Sequence, residues 1–222
     1  MNYFLPLLSV LLGYGIALFV KPESKKRLKL LLAFSGSFLL SLTVMHLLPD
    51  VYKADNEAIG VFIMVGILFQ IILEFFSKGA EHGHVHGHDK IAKMPWLLFI
   101  SLCLHAFLEG FPVGHHHDLA IGIAIHHLPI AVILTTFFLH AELNKKALFL
   151  FMLTFALMTP MGTFISEKAA FLNEYYNELT AIVIGILFHI SSTIIFESSE
   201  GHKFNVAKVS MILLGMILAY FL

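Results

Sequence analysis

Eight long apolar runs separated by short polar segments constrain the fold of this chain more than any other feature. They are the ranges 4–20, 30–49, 58–76, 94–113, 119–139, 147–166, 180–197 and 205–222. Each run holds about 17 to 21 residues, which is enough for a helix to cross a hydrocarbon layer about 30 Å thick. The sequence therefore predicts an all-α integral membrane protein. We expect a bundle of eight transmembrane helices that forms a single domain over residues 1–222.

The composition agrees with a lipid environment. Apolar residues make up 58% of the chain and charged residues 13%, against about 45–50% and about 25% in soluble domains. The lipid bilayer is therefore an expected partner. Nucleic acid is not, because a net charge of −1 leaves no excess of cations to neutralise phosphates. The single cysteine, Cys103, excludes a secreted fold held together by disulfides.

The basic residues predict an orientation. Twelve of the fourteen Lys and Arg residues follow the first, third, fifth and seventh runs, and the other two are Lys53 and Lys168. Cytoplasmic loops collect Lys and Arg. Both termini are therefore expected on the outer side, and the chain is expected to be a multi-pass protein of the cell inner (plasma) membrane.

A histidine-rich stretch lies between the third and fourth runs. Residues 81–89 alternate histidine with small or acidic residues, within a loop at 78–93 that the orientation predicts to be cytosolic. Such a composition does not build a packed core, and it is typical of flexible tracts that bind metals weakly. The alternative is a solvated linker that happens to be rich in histidine.

Ionisable side chains inside the apolar runs gather at one predicted depth. A rise of ~1.5 Å per residue places those of the fourth, fifth and seventh runs about 6 to 13 Å from the outer helix ends. They are His105, Glu109, His126, His127 and His189. Such groups usually face a cavity or a pathway, and divalent transition metals accept imidazole and carboxylate ligands. We interpret the group as a metal site rather than as histidines that merely hydrogen-bond between helices.

More polar residues lie at both predicted ends of the bundle. His46 and Asp50 are four residues apart at the outer end of the second run, while Glu197 and Glu74 lie at inner ends. Each of them alone is compatible with a solvated helix end. Together with the central group they indicate a line of ligands from one side to the other, which is typical of a conduit.

Two motifs of these runs resemble those of a known family. The segment 105–110, His-Ala-Phe-Leu-Glu-Gly, is similar to the fourth-span motif His-Asn-x-x-Glu/Asp-Gly of the ZIP family of divalent-metal (zinc/iron) transporters. The segment 126–131, His-His-Leu-Pro-Ile-Ala, resembles a reduced form of the fifth-span motif His-Glu-x-Pro-His-Glu, and 46–50 is similar to the second-span ending. The resemblance is that of a divergent bacterial-type member. It implies eight spans, outward termini and a His-rich cytosolic loop.

The resemblance also implies a function. It indicates a transporter rather than an enzyme, with uptake of zinc into the cytosol and Zn²⁺ as the transported substrate; other divalent metals are alternatives. Carried over position by position, it leaves His105, Glu109 and His126 as ligands of a mononuclear centre. His127 is then a candidate ligand of a second site, which has lost its Asn because Ala106 stands there. His189 is expected to complete the centre on grounds of depth alone.

Other functions and assemblies stay open at the level of sequence. An intramembrane zinc-dependent hydrolase would also hold histidine and acidic ligands at this depth, although the chain has no His-Glu-x-x-His motif. A metal-sensing membrane protein would bind the ion without moving it. Small residues allow close helix packing within the chain or in a homodimer; they include Gly13, Gly15, Gly66, Gly122 and Gly185.

Overall fold

The part of the chain that the structure describes is helical apart from short turns. A computed structural model describes residues 4–20, 25–53, 56–77, 95–114, 117–197 and 205–222. Its α-helices are α1 (Phe4–Val20), α2 (Lys25–Leu42), α3 (Leu48–Tyr52), α4 (Ile59–Ser77), α5 (Trp96–Glu109), α6 (His117–His140), α7 (Lys145–Lys168), α8 (Ala170–Glu174), α9 (Tyr176–Glu197) and α10 (Val206–Tyr220). A π-helical turn at Thr43–Leu47 joins α2 to α3, and a 3₁₀ turn at Phe111–Gly114 follows α5. The predicted His-rich loop at 78–93 lies outside the described residues.

Within those ranges the all-α fold is confirmed, and no strand is present. Six helical stretches are long and apolar enough to cross a membrane: Lys26–Tyr52, Ile59–Phe76, Trp96–Gly114, Asp118–His140, Lys145–Lys168 and Tyr176–Phe196. Helices α1 and α10 are apolar but shorter, with 17 and 15 residues. The crossing of a membrane by all eight stays a prediction, as does the orientation of the termini.

The second long helix begins earlier than its apolar run. Helix α2 begins at Lys25, whereas the apolar run begins at residue 30. Apolar content marks the part of a helix that suits hydrocarbon, while the backbone hydrogen bonds continue through the basic residues before it. Lys and Arg favour helix nearly as well as Leu does, so the helix extends beyond its apolar part.

A π-helical turn widens the second long helix just before Pro49. Proline has no backbone N–H, and its ring clashes with the carbonyl four residues earlier, here that of Met45. The wider turn at Thr43–Leu47 covers this carbonyl and includes His46. Proline at the start of α3 thus accounts for an irregular backbone at the predicted outer end of this helix.

Helices α2 and α6 run antiparallel through the centre of the bundle. Ser35 of α2 contacts His126 of α6, and Leu42, seven residues later on α2, packs on Gly122, four residues earlier on α6. The end of α2 and the start of α6 therefore meet at one end of the bundle. About 72% of the apolar segment of α6 is buried inside the bundle. Helix α6 is therefore the most enclosed of the six long stretches.

Helices α4 and α9 run side by side and approach most closely at two glycines. A Cβ atom on Gly66 would lie 2.0 Å from the carbonyl oxygen of Ile182, and one on Gly185 would lie 2.0 Å from that of Ile63. Both positions require glycine because the backbones nearly touch. The small residues predicted to bring helices together do so here within the chain.

The outer faces of the long helices are apolar. Helix α4 is the clearest case. Only 28% of its apolar segment is buried, and Phe75 is 78% exposed. Contiguous apolar surface of this extent is unfavourable in water. The fold therefore has the surface of a multi-pass membrane protein, with its polar side chains turned inward.

The close approach of α4 and α9 gives a stability prediction. We expect Gly66→Ala to lower the free energy of unfolding by about 1–3 kcal/mol, because the new methyl group overpacks the contact with α9. Gly15→Ala is the matched control, since nothing lies within 4 Å of a Cβ at Gly15. Thermal unfolding of the purified variants in detergent measures both. Equal melting temperatures for the two variants would contradict the packing described.

The predicted topology can be tested with single cysteines in a Cys103→Ala background. Lys53 and Lys145 are both exposed, and the three long stretches α4, α5 and α6 separate them. We expect a membrane-impermeant maleimide to label Lys53→Cys in intact cells. Lys145→Cys should react only after permeabilisation. Labelling of both cysteines from the same side would show that one of the three helices does not cross.

Candidate metal site

Glu109 is a carboxylate buried in the bundle between two imidazoles. Its side chain is fully buried, and its Oε2 lies 3.2 Å from Nε2 of His105, which is 5% exposed. On its other side Oε1 contacts Nε2 of His127, which is 2% exposed. Because His105 precedes Glu109 by four residues on α5, both project from one face of that helix. His127 meets them from α6.

The polar atoms of this group are poorly satisfied by the protein around them. Among the described residues, the carboxylate oxygens of Glu109 have only the imidazoles of His105 and His127 as partners, and Nδ1 of His127 has no hydrogen bond. A buried charge without good partners is costly. The site thus concentrates lone pairs in an apolar interior, where a cation would interact strongly with them.

His126 brings a third imidazole to the same place. It is 3% exposed, and its Nδ1 is hydrogen-bonded to the buried hydroxyl of Ser35 on α2 at 3.2 Å. The three histidines line a cavity of about 10 Å³, roughly the space of one water molecule. We call this space the histidine cavity; its other lining residues are Leu102, Ile130, Phe155 and Ile190.

Apolar side chains surround the imidazoles. The ring of Phe155 lies 5.3 Å from that of His127, centroid to centroid, and is itself 1% exposed. Such a setting has a low effective dielectric constant, which strengthens any electrostatic interaction inside it. In the described part of the chain, no three or more ligand-type side chains have the geometry of a preformed metal site. The carboxylate contacts the imidazoles directly instead.

His189 lies outside this group and contacts Glu74. The contact joins α9 to α4, and the two side chains are 19% and 23% exposed. Ser101 of α5 donates a hydrogen bond to the Leu73 carbonyl at 2.8 Å, and Ser101 is one turn from His105. The Glu74–His189 pair thus lies about one helical turn, roughly 6 Å, beyond His105 along the bundle. Depth alone had placed His189 with the central histidines.

A polar cleft opens at the other end. It has a volume of about 230 Å³, and it is lined by His46, Asp50, Lys53 and Asp118 together with apolar residues that include Leu42 and Leu119. We call it the Asp50 cleft. Nε2 of His46 lies 3.4 Å from the Ala219 carbonyl oxygen. A carbonyl oxygen only accepts, so Nε2 is the donor in this contact.

A layer of apolar side chains separates the Asp50 cleft from the histidine cavity. The two share no lining residue. Leu42, 1% exposed, lies against Gly122 so closely that a Cβ there would be 2.2 Å from its Cδ1. From Leu119 at the cleft to His126 at the cavity is seven residues of α6, or about 10 Å. The described arrangement is closed on this side.

Sequence reasoning located part of this arrangement. It grouped His105, Glu109, His126 and His127, and it placed His46 with Asp50. It missed Ser35, although a serine within an apolar run could have indicated a buried polar contact. It also missed the ion pair of Lys53 with Asp50. Glu197 ends α9, but its side chain lies outside the described residues.

Comparison with known proteins adds one informative likeness. The chain is 23% identical over 250 residues to a protein of Bos taurus named zinc transporter ZIP1, across 87% of this chain and 77% of that protein. No family model matches the chain. The likeness extends over most of the described helices and supports a ZIP-like family, as the motifs of α5 and α6 suggested.

Proposed function

We propose that this ZIP-like membrane protein moves a divalent transition-metal ion across the membrane, with Zn²⁺ as its main substrate and uptake into the cytosol as its direction. The observation that carries the proposal is the fully buried Glu109, held between imidazoles of α5 and α6. A carboxylate in that position is expensive unless a cation joins it. The likeness to a zinc transporter of Bos taurus supports the same conclusion.

The ion would bind at the histidine cavity as a mononuclear centre. We propose His105, Glu109 and His126 as ligands, with His127 close enough to exchange with one of them. Because the carboxylate touches His105 and His127 directly, binding must move these side chains apart around the ion. One carboxylate and neutral imidazoles only partly neutralise a dication, so the site binds the ion without trapping it.

Ser35 would prepare His126 for this role. A metal takes the lone pair of one ring nitrogen, and the other nitrogen then carries a proton that needs an acceptor. The hydroxyl of Ser35 lies 3.2 Å from Nδ1 of His126 and can accept that proton's hydrogen bond. Nε2 is then left with its lone pair, and the ring is fixed in one orientation.

The remaining polar groups indicate a path for the ion to and from the histidine cavity. The ion would be attracted at the Asp50 cleft by Asp50 and His46, and would leave the centre towards Glu74 and His189, with Glu197 further along α9. The exposed fraction of the side chain rises from zero at Glu109 to 23% at Glu74, so this part of the path lies nearer the protein surface than the centre does. Passage from the cleft requires the Leu42 layer to separate, as expected of bundles that open to each side in turn.

A hydrolytic function has no support in this arrangement. The histidine cavity of about 10 Å³ holds roughly one water molecule, and no peptide bond or acyl chain fits beside it. Zinc ligation at membrane depth was the feature shared by the two hypotheses. The small size of the cavity supports an ion rather than a peptide or an acyl chain as the substrate.

A flux assay tests the proposal. In proteoliposomes loaded with a fluorescent zinc indicator, we expect His105→Ala plus Glu109→Ala to abolish uptake. The single variant Glu109→Gln, which keeps size and polarity, should reduce uptake at least tenfold because the negative charge is lost. His140→Ala is the matched control, since His140 is an exposed histidine at the end of α6 that bonds the Thr136 carbonyl.

The outcome of this assay decides whether Glu109 is a ligand of the transported ion. Zinc uptake at the wild-type rate in Glu109→Gln would remove Glu109 as a ligand, and an equal loss in His140→Ala would point to general damage. Equal thermal stability of the variants in detergent separates the loss of a ligand from misfolding. Uptake of other divalent ions in the same vesicles would establish the substrate range.

The role of Ser35 gives a second prediction. We expect Ser35→Ala to weaken zinc binding by roughly tenfold, because supporting hydrogen bonds to metal ligands typically contribute 10–100-fold in affinity. Ser41→Ala on the same helix is the control, as Ser41 is also buried but bonds to the carbonyl of Ser37. Competition with a chromogenic chelator measures both. The same affinity in the two variants would mean that Ser35 does not orient the imidazole.

A further inference from the structure

The carboxylate of the Asp50 cleft already has a cation beside it. The Lys53 ammonium lies 2.6 Å from Oδ1 of Asp50, three residues away at the end of α3. The lysine side chain is 75% exposed and that of Asp50 is 42% exposed. An ion pair so open to solvent is weak and exchanges readily. Lys53 therefore pairs with Asp50 but can be displaced from it.

The charges around the cleft give this pair its significance. Asp50 and Asp118 contribute two negative charges, and Lys53 contributes one positive charge among the lining residues. These three described side chains sum to a formal charge of −1 with Lys53 in place, and to −2 without it.

We propose that Lys53 is a tethered competitor that an incoming metal ion must displace from Asp50. The inference rests on the proposed function and adds a residue that sets the apparent affinity at the outer opening. A dication interacts with a carboxylate more strongly than an ammonium does and can also take the Nδ1 of His46. A monovalent ion gains neither advantage, so the lysine favours dications over the more abundant monovalent ions.

The competition has a kinetic signature. Removing Lys53 takes this cation away from Asp50 and makes the cleft more negative, so the metal concentration for half-maximal uptake should fall. The maximal rate should change little, because the buried centre is untouched. We expect the KM of Lys53→Gln to be about two- to fivefold lower, which is the fold-change that corresponds to an exposed ion pair.

The experiment compares zinc uptake by proteoliposomes over a range of zinc concentrations. Lys53→Arg keeps a cation at this position, so its KM should be close to that of the wild type. Lys168→Gln removes the other lysine of the predicted outer side, which is exposed at the end of α7 and does not line the cleft. It controls for the general surface potential. Lys53 is exposed, so its replacement is not expected to disturb folding.

Two further measurements separate competition from other causes. In an Asp50→Asn background, Lys53→Gln should no longer lower KM, because the carboxylate for which the lysine competes has gone. Raising the ionic strength should shrink the difference between wild type and Lys53→Gln, since exposed charges are screened. A purely structural role of Lys53 would show neither dependence.

The results distinguish this inference from the proposed function. Zinc uptake by the wild type with an unchanged or higher KM in Lys53→Gln overturns the inference and leaves the function standing. An equal drop in Lys168→Gln also overturns it, since the effect would then belong to the whole surface. Absence of zinc uptake by the wild type overturns both.

Discussion

The structure depends on a carboxylate that the fold places where water cannot reach it. Glu109 is fully buried, and helix α5 alone cannot compensate its charge. Contacts from His105 on its own helix and from His127 on α6 hold it. This requirement fixes the rotation of both helices about their axes, because either helix turned away would leave a charge in an apolar interior.

Much of this fold could be predicted from residue periodicity and charge. The apolar runs found the long helices to within a few residues, and depth along them grouped His105, Glu109, His126 and His127. Depth gives the height of a side chain along a helix but not its direction around the axis. His189 was grouped with the others as well, although it contacts Glu74 about one helical turn beyond His105 along the bundle.

The residues that sequence reasoning missed are those defined by a neighbour from elsewhere in the chain. Ser35 is one of several serines on α2, and its proximity to His126 depends on how α2 packs against α6. The π-helical turn at Thr43–Leu47 follows from Pro49, yet its position could not be assigned without the surrounding packing. Lys53 counted in the sequence as an exception to the charge bias, and only its position relative to Asp50 suggested a role.

The apolar layer at Leu42 and Gly122 has a consequence for the energetics of the cell. A bundle with ionisable groups at every level would conduct protons along a file of water and dissipate the membrane potential. An apolar layer interrupts such a file, because a naked charge in it has no polar partner. In the transporter proposed above, the same contact would thus preserve the electrical insulation of the membrane between successive ions.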